Sequence, residues 1–219
     1  MTKILHIDTA LAVASIAISA DEKCLAVQTN TVQNDHAAWL HTAIDELLKK
    51  NDLTAAELDA VSVTIGPGSY TGLRVGLSSA KGFCYALQKP LLTISSLQLL
   101  ATAPQAESGQ LICPLIDARR MEVYFALYDH TLTAITEPAA HILDENSFAK
   151  EMNLKKIIFC GDATEKFKKV CHHPHAVFCD QVPNAAAMAS LALKKFVKKE
   201  FADLAYCVPL YVKEFQQRT

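Results

Sequence analysis

Two aspartates, each at the end of an apolar run, have the clearest capacity for chemistry in this sequence. Asp8 ends a run that begins at Lys3, and Asp117 ends a run that includes Leu115 and Ile116. In folds that hold a nucleotide in a cleft, such an acid is followed by glycines, because the backbone must approach the phosphates closely and offer its N–H groups. A nucleotide cleft is therefore the first chemistry to test.

The residues that follow these acids do not suit phosphates. Thr9-Ala10-Leu11 follows Asp8 and Ala118-Arg119-Arg120 follows Asp117, so neither turn contains a glycine. Side chains on both turns would crowd a triphosphate, and a short acid at a turn can simply bond its own backbone. We therefore predict no catalytic residue. The residual cleft would comprise Asp8, Thr9, Asp117 and Arg119.

Histidines and cysteines offer two candidate metal sites, and neither has favourable spacing. His36 and His41 share one predicted helix, where their side chains would point about 140° apart. The second candidate is the cluster of Cys171, His172, His173, His175 and Cys179. Its spacing matches no recurrent zinc pattern. We predict no metal ion, and metal binding by this cluster is the alternative.

The composition is that of a globular protein. The chain has 219 residues, of which 51% are hydrophobic and 20% charged, which is enough to bury a core as one domain or two small ones. The formal charge of -2 attracts nucleic acid weakly, so contact with RNA would need a basic partner. Without a long apolar run or a secretory leader, the chain is expected to be cytoplasmic and to have no membrane contact.

Hydrophobic periodicity predicts the elements of the first half. Three strands form an antiparallel meander, and Asn34-Asp35 marks the start of the helix that follows it. Ser69 is predicted to be the N-cap of a second helix, since serine is preferred there. The predicted strands and helices cover residues 3–8, 13–19, 24–31, 34–50, 58–65, 70–87, 90–95 and 96–103. Their order is βββαβαβα.

The second half looks like a degraded copy of the first, which indicates a duplicated domain. Residues 115–117 and 122–127 can be laid over residues 5–8 and 13–18, because each pair is an apolar strand ending on Asp, a turn and a second strand. Residues 156–161 correspond in the same way to residues 61–66. A strand over 176–179 and a helix over about 184–199 complete the chain.

This order is that of a ribonuclease-H-like half-domain, in which three meandering strands are extended by parallel strands through helical crossovers. We predict a duplicated ribonuclease-H-like α/β fold of the kind found in actin, heat-shock protein 70 and sugar kinases, with a degraded second lobe. The N-terminal lobe is predicted over residues 1–103 and the C-terminal lobe over 104–219. Packing of the terminal helix over about 184–199 on the first lobe is an alternative to packing on the second.

The first two helices carry a candidate partner surface. In the second helix, Gly72, Gly76 and Ala80 form a small-residue stripe that packs closely either on the chain's own sheet or on a neighbour. Aromatic and arginine side chains, which are typical of interface anchors, lie beside this stripe. The predicted partner surface comprises Trp39, Ala43, Tyr70, Arg74, Leu77, Ser78, Lys81 and Tyr85.

Three segments together give a specific resemblance. They are Ile4–Thr9, the glycine-rich loop and helix from Gly66 to Gly82, and Asp117–Arg120 before Glu122-Val123-Tyr124. On these residues the sequence resembles the TsaB family, also called YeaZ, over essentially its whole length. The glycine-rich loop and helix are the most specific part of the match.

The resemblance implies a role in tRNA modification. TsaB proteins belong to the bacterial machinery that installs a threonylcarbamoyl group on N6 of the adenosine beside the tRNA anticodon. A metal-binding paralogue, TsaD, transfers the group, and an ATPase, TsaE, supports turnover. The resemblance implies that this chain is a non-catalytic subunit that pairs with a TsaD-type transferase through its first two helices, or with itself when alone. ATP, the metal ion and direct contact with tRNA then belong to the partners.

An actin-like ATPase or phosphotransferase with a nucleotide between the lobes is the alternative. The two strand-end acids and the duplicated fold support it. We place the non-catalytic function first because of the whole-chain resemblance, the lack of glycines in both turns and the candidate helical interface. The two hypotheses differ in one measurement, since only the enzyme would bind and hydrolyse Mg-ATP as an isolated chain.

Overall fold

The computed structural model describes residues 1–32 and 35–213, and these form two compact units. The first unit contains Met1–Ser96 together with Asn184–Leu210, and the second contains Leu97–Pro183 with residues 211–213. The boundary between the two units thus falls after Ser96, whereas the predicted boundary between the lobes is after residue 103. Residues 184–210, which fall within the predicted second lobe, lie in the first unit, and they include the terminal helix over about 184–199 for which packing on the first lobe is the predicted alternative.

The first unit is built on a five-stranded sheet with the order β3-β2-β1-β4-β5. Its first three strands are antiparallel neighbours, and β4 and β5 continue the sheet in parallel. The elements from Met1 onward are β1 (Lys3–Asp8), β2 (Ala14–Ala20), β3 (Lys23–Asn30), α1 (His36–Lys50), β4 (Ala60–Thr64), α2 (Tyr70–Leu87) and β5 (Leu91–Ile94). Helix α3 (Ser96–Leu100) begins at the last residue of this segment and belongs to the second unit from Leu97 onward. A 3₁₀ turn at Ala55–Glu57 precedes β4.

Helices α1 and α2 pack on one face of this sheet, and their apolar residues close the core there. Helix α1 buries Leu40, Ala43, Ile44, Leu47 and Leu48, which recur at the spacing of one helical face. Asp35 precedes this helix without capping it through its side chain, and Asn34, the other predicted start residue, lies outside the described residues. The start at His36 is therefore set by core packing more than by a cap.

The second unit repeats the plan of the first. Its strands follow the order β11-β10-β6-β7-β9, so β6, β7 and β9 are antiparallel neighbours while β10 and β11 extend the sheet in parallel. The elements are β6 (Leu111–Asp117), β7 (Glu122–Phe125), β8 (Tyr128–Asp129), β9 (Ala139–Ile142), α4 (Ala149–Met152), β10 (Ile157–Cys160), α5 (Thr164–Lys168) and β11 (Ala176–Cys179). The duplicated ribonuclease-H-like fold predicted from the sequence is confirmed.

The last helix shows why residues 184–210 belong to the first unit. A 3₁₀ turn (Ala185–Ala187) leads into α6 (Met188–Val197), which is shorter than the helix predicted over 184–199. The backbone N–H of Ala185 donates to Ser15 Oγ at 2.9 Å. Ala192 is fully buried in a cluster with Ile4 and Leu92 of the first sheet. The helix therefore covers the face opposite α1 and α2. Within the described part of the chain, no helix has the length and hydropathy needed to cross a bilayer.

Candidate functional site

The turn between β1 and β2 holds the first of the two predicted acids. Asp8 is only 4% exposed, and its Oδ1 accepts hydrogen bonds from Thr64 Oγ1 at 2.8 Å and from the backbone N–H of Ala10 at 3.2 Å. Burial raises the pKa of this carboxyl, while the two hydrogen bonds oppose that effect. Asp8 therefore serves as a buried turn residue that bonds its own backbone.

Helix α2 fills the space beside this turn. A Cβ built on Gly72 would lie 2.1 Å from the carbonyl oxygen of Thr9, and one on Gly76 would lie 2.3 Å from Thr9 Oγ1. Thr9 Oγ1 donates to the carbonyl of Gly72 at 2.7 Å, and the N–H of Ser69 donates to the carbonyl of Ala10 at 2.7 Å. The small-residue stripe thus packs on the chain's own sheet, and a helix occupies the approach to the turn.

The start of α2 is fixed by local chemistry. Ser69 Oγ accepts the backbone N–H of Gly72 at 3.2 Å, so the predicted N-cap is confirmed. Gly66, just before it, has a φ of +120°, and a Cβ there would lie 2.6 Å from the carbonyl oxygen of Leu210. Such a φ suits glycine alone among common residues. The glycine-rich loop is therefore a packing device in this unit.

The second predicted acid lies in the other unit, at the end of β6. Asp117 Oδ1 accepts the backbone N–H of Arg119 and forms an ion pair with Lys166 Nζ at 2.6 Å. Its own N–H donates to Asp162 Oδ1 at 2.9 Å. The carboxylate of each acid thus has hydrogen-bond or ion-pair partners within its own unit. The residual cleft formed jointly by Asp8, Thr9, Asp117 and Arg119 stays a prediction.

The candidate metal ligands have separate partners. His36 Nε2 lies 3.2 Å from the carbonyl of Leu11, whereas His41 Nε2 lies 3.1 Å from Ser79 Oγ. In the second candidate cluster, Cys171 is buried, and the imidazole of His175 bonds the carbonyl of Met152 at 2.7 Å. Among residues 1–32 and 35–213, no three His, Cys, Asp or Glu side chains are grouped as metal ligands.

Helices α1 and α2 bury two residues that were predicted to face a partner. Ala43 is 1% exposed and Leu77 is 4% exposed, and both belong to the core of the first unit. The expectation that they lie on an open face is wrong. Gly72 and Gly76 let α2 sit so close to the sheet that the adjoining Leu77 is buried with them. Trp39 is half-buried and also packs on this core.

The other predicted partner residues lie on the outer face of α2. Tyr70 is 37% exposed and Tyr85 is 80% exposed, and Arg74 and Ser78 are exposed as well. The Arg74 guanidinium lies 4.0 Å from the centre of the Tyr70 ring, a cation–π contact. Lys81 is half-buried, and its Nζ donates to the carbonyl of Ala205 at 3.3 Å. These residues keep their place in the candidate surface.

A groove between α1 and α2 was missed by the sequence reasoning. Its volume is about 440 Å³, and its walls are His41, Ser78, Ser79, Gly82, Phe83 and Ala86. The His41 and Phe83 rings stack with centroids 5.9 Å apart. The sequence signal for this groove is Gly82, a glycine inside a predicted helix. In the structure a Cβ built on Gly82 would meet no atom within 4 Å, so packing within the described part of the chain does not require a glycine there. A glycine weakens a helix, and close packing of another chain on the groove would account for its presence. The groove is therefore a candidate partner site.

We define the α1–α2 surface as the outer-face residues and groove walls just described. They are Tyr70, Arg74, Ser78, Lys81, Tyr85, His41, Ser79, Gly82, Phe83 and Ala86. Aromatic rings and an arginine are set around a floor of small residues, which is the composition of protein interfaces. The α1–α2 surface also contains a hydroxyl–imidazole contact, between Ser79 Oγ and His41 Nε2 at 3.1 Å.

Comparisons with known proteins show which family the chain resembles in sequence. Residues 23–212 match the family model described as "TsaD: tRNA N6-adenosine threonylcarbamoyltransferase". A Bacillus subtilis (strain 168) relative called "tRNA threonylcarbamoyladenosine biosynthesis protein TsaB" is 35% identical over 171 residues, which cover 76% of this chain and 74% of the relative. A protein of the same description from Buchnera aphidicola is 27% identical over 218 residues, covering 96% of this chain and 98% of that protein.

The solved structures show the same fold. A crystal structure from Pseudomonas aeruginosa, described as an uncharacterized protein with similarity to peptidase YEAZ, superimposes with a TM-score of 0.85. It is 24% identical, and the match covers 97% of this chain and 100% of that chain. The sequence matches and the repeated sheet order point the same way. The chain belongs to the TsaB (YeaZ) family.

Proposed function

We propose that this chain is a non-catalytic subunit of the cytoplasmic machinery that makes threonylcarbamoyladenosine in tRNA. Its relatives are described as biosynthesis proteins for this modification. The observation that carries the non-catalytic part is the packing of α2 on the β1–β2 turn. Thr9 is fully buried against Gly72 and Gly76, and Asp8 is only 4% exposed, so neither residue is available to a phosphate that approaches from the side of α2.

The proposed partner is a TsaD-type transferase, with pairing of two copies as the state of the chain alone. Such a transferase shares the matched family model with this chain, and two related folds can pair through equivalent surfaces in a near-twofold arrangement. A TsaE-type ATPase and tRNA would join the assembly through the transferase. The chain itself would need no cofactor.

The α1–α2 surface is the proposed docking site for the transferase. Tyr85 is 80% exposed, although burying such a ring is favourable. The groove beside Gly82 accepts a protruding side chain or a close helix backbone, since its open space is about 440 Å³. Arg74 lies one helical turn before Ser78 of the groove wall and would contact a polar rim.

A charge reversal on this surface is expected to weaken assembly. Arg74→Glu combined with Ser78→Glu removes the cation–π contact and places two acids in the proposed interface, so affinity for the transferase should fall at least about 10-fold. The measurement is the dissociation constant by titration calorimetry with the purified transferase. Neither residue is buried, so the fold should survive.

The matched control is Lys194→Glu combined with Lys198→Gln. These exposed lysines are also one helical turn apart, on and just after α6, and the double variant changes the net charge by the same amount. The control should bind like the parent. Equal affinity for all three proteins would contradict the docking site. Failure of the parent chain to bind the transferase would contradict the proposed function itself.

A substitution at Asp8 tests the alternative enzyme. Asp8→Asn keeps an oxygen that can accept from Thr64 and Ala10, and it removes the charge that a phosphotransferase would need. In a reconstituted modification assay the variant should match the parent rate. Loss of tRNA modification with assembly intact, or Mg-ATP hydrolysis by the isolated parent chain, would support the enzyme.

A further inference from the structure

The tip of the β6–β7 hairpin carries two arginines in an uncommon backbone conformation. Arg119 has a φ of 72° and Arg120 a φ of 47°, so two consecutive residues lie in the left-handed region. Asparagine and glycine are the residues that such hairpin positions favour, because a Cβ is strained there. The backbone conformation therefore does not itself favour arginine at either position.

The surrounding hydrogen bonds hold this tip in place. The N–H of Ala118 donates to the carbonyl of Glu122 at 3.1 Å, and the N–H of Glu122 donates to the carbonyl of Arg119 at 3.0 Å. Asp117 accepts the N–H of Arg119 from the other side. The N–H groups of Arg120 and Met121 donate to no acceptor within residues 1–32 and 35–213. Two backbone donors are therefore left at the tip.

Two acids beside the tip are already paired. Lys166 neutralises Asp117, and Lys213 forms an ion pair with Glu122. Arg119 and Arg120 are both exposed, and neither forms an ion pair with a residue that the structure describes. Asp162, which accepts the N–H of Asp117, is a third acid near the tip, so the named acids and bases leave one positive charge in excess, and the guanidinium groups are the cations that are not in an ion pair.

We infer that the Arg119–Arg120 tip is a binding site for a phosphate group. Each guanidinium can bind phosphate oxygens in a bidentate manner, and free backbone N–H groups at a tight turn add to an anion-binding concavity. The site is open to solvent, so it suits a phosphate on the surface of a larger ligand. The phosphodiester backbone of RNA and the phosphates of a free nucleotide are the two sources of this chemistry.

Two titrations of the full chain test the inference and separate the sources. A 17-nucleotide RNA stem-loop and inorganic pyrophosphate are added in turn at low salt, and backbone amide shifts are followed by NMR. We expect saturable shifts at residues 118–122 with at least one probe, weakening as salt is raised. Saturation with the stem-loop alone assigns the site to RNA, and saturation with pyrophosphate alone assigns it to a nucleotide.

The variant for this test is Arg119→Asn combined with Arg120→Gly. These residues suit the left-handed backbone, so the protein should fold and melt at the parent temperature or above, while probe affinity falls at least 10-fold. The matched control is Lys194→Asn with Lys199→Gly, which also removes two positive charges, and Lys199 too is left-handed with a φ of 57°. The control should bind like the parent.

Three outcomes would overturn the inference. They are the absence of saturable shifts with both probes, equal affinity of the parent and the tip variant, and an equal loss of affinity in the control. A tip variant that binds the transferase less tightly while neither probe binds the parent would assign the arginines to a protein partner instead. The site lies in the second unit and not on the α1–α2 surface, so these results do not depend on the proposed function.

Discussion

Replacing Gly72 with alanine is expected to destabilise the chain by about 3 kcal/mol, the largest effect of any single methyl group in α2. The new Cβ would lie 2.1 Å from the carbonyl oxygen of Thr9, which belongs to the backbone of the β1–β2 turn and cannot rotate away. Helix and turn would have to separate, and their hydrogen bonds would lengthen. Urea unfolding at neutral pH measures the change.

Replacing Gly82 with alanine is expected to change the free energy of unfolding in the opposite direction. A Cβ there would meet no atom within 4 Å, so Gly82→Ala should stabilise the chain by about 1 kcal/mol through helix propensity alone. The two variants form a matched pair, since both add one methyl group to the same helix. If both lower stability equally, the placement of α2 on the turn is wrong.

Gly82→Ala also bears on the proposed docking site. If the groove receives a close partner element, the stabilised variant should bind the transferase less tightly than the parent. A glycine at an exposed helix position lowers the stability of the helix, and association with a partner is a function that would account for it. Unchanged affinity would indicate that the partner does not enter the groove.

Lowering the pH from 7 to 5 is expected to reduce the free energy of unfolding by about 2 kcal/mol through one buried histidine. His6 lies in the central strand β1 with no exposed surface, and its ring nitrogens lie 2.6 Å from Ser62 Oγ and 2.8 Å from Ser19 Oγ. Burial lowers the pKa of His6 from 6.5 to about 3. The ring is therefore neutral in the folded chain.

The direction of this pH effect follows from the pKa values of His6 in the unfolded and folded states. Because the folded-state pKa is below the unfolded one, the unfolded chain takes up a proton as the pH falls below 6.5, and the folded chain does so only near pH 3. The stabilisation is present above pH 6.5 and is lost through that window. Asp8 acts in the opposite direction, since burial raises its pKa, so the measurement is made in an Asp8→Asn background.

Two readouts keep the His6 prediction falsifiable. Urea unfolding at pH 7 and pH 5 should show the loss in the Asp8→Asn background, and the further change His6→Asn should remove that pH dependence. NMR of the ring nitrogens should show neutral His6 at pH 5 in the folded protein. A ring that titrates near pH 6.5 in the folded state would contradict the prediction, even if His6→Asn failed to fold.

The first unit could be predicted from the sequence because its elements carry strong periodic signals. The bounds of β1 at Lys3–Asp8 and of α2 at Tyr70–Leu87 agree with the prediction. The second unit has weaker signals. Strand β9 reads Ala-Ala-His-Ile without alternation, and α4 has only four residues, preceded by Phe148 in the left-handed region. Such short elements are set by tertiary packing, here around the rings of Phe148, Phe159 and Phe167.

The candidate surface was predicted only in part, for a geometric reason. A helical wheel gives the angle between residues but not how deeply the helix sinks into its sheet. Glycines at 72 and 76 allow a close approach, and that approach buries Leu77 and turns Ser79, Gly82 and Ala86 toward the groove. Leu77→Glu would therefore place a charge in the core, so it is unsuitable as an interface probe.

The contact between α2 and the β1–β2 turn has an evolutionary consequence. A glycine at Thr9 would lose the hydroxyl bond to the Gly72 carbonyl, but the main-chain contacts of α2 with the Thr9 and Ala10 carbonyls would remain. A descendant of this chain that bound a ligand against these two carbonyls would first have to move α2 away from them. Substitutions at Thr9 and Ala10 alone would therefore not expose this part of the turn.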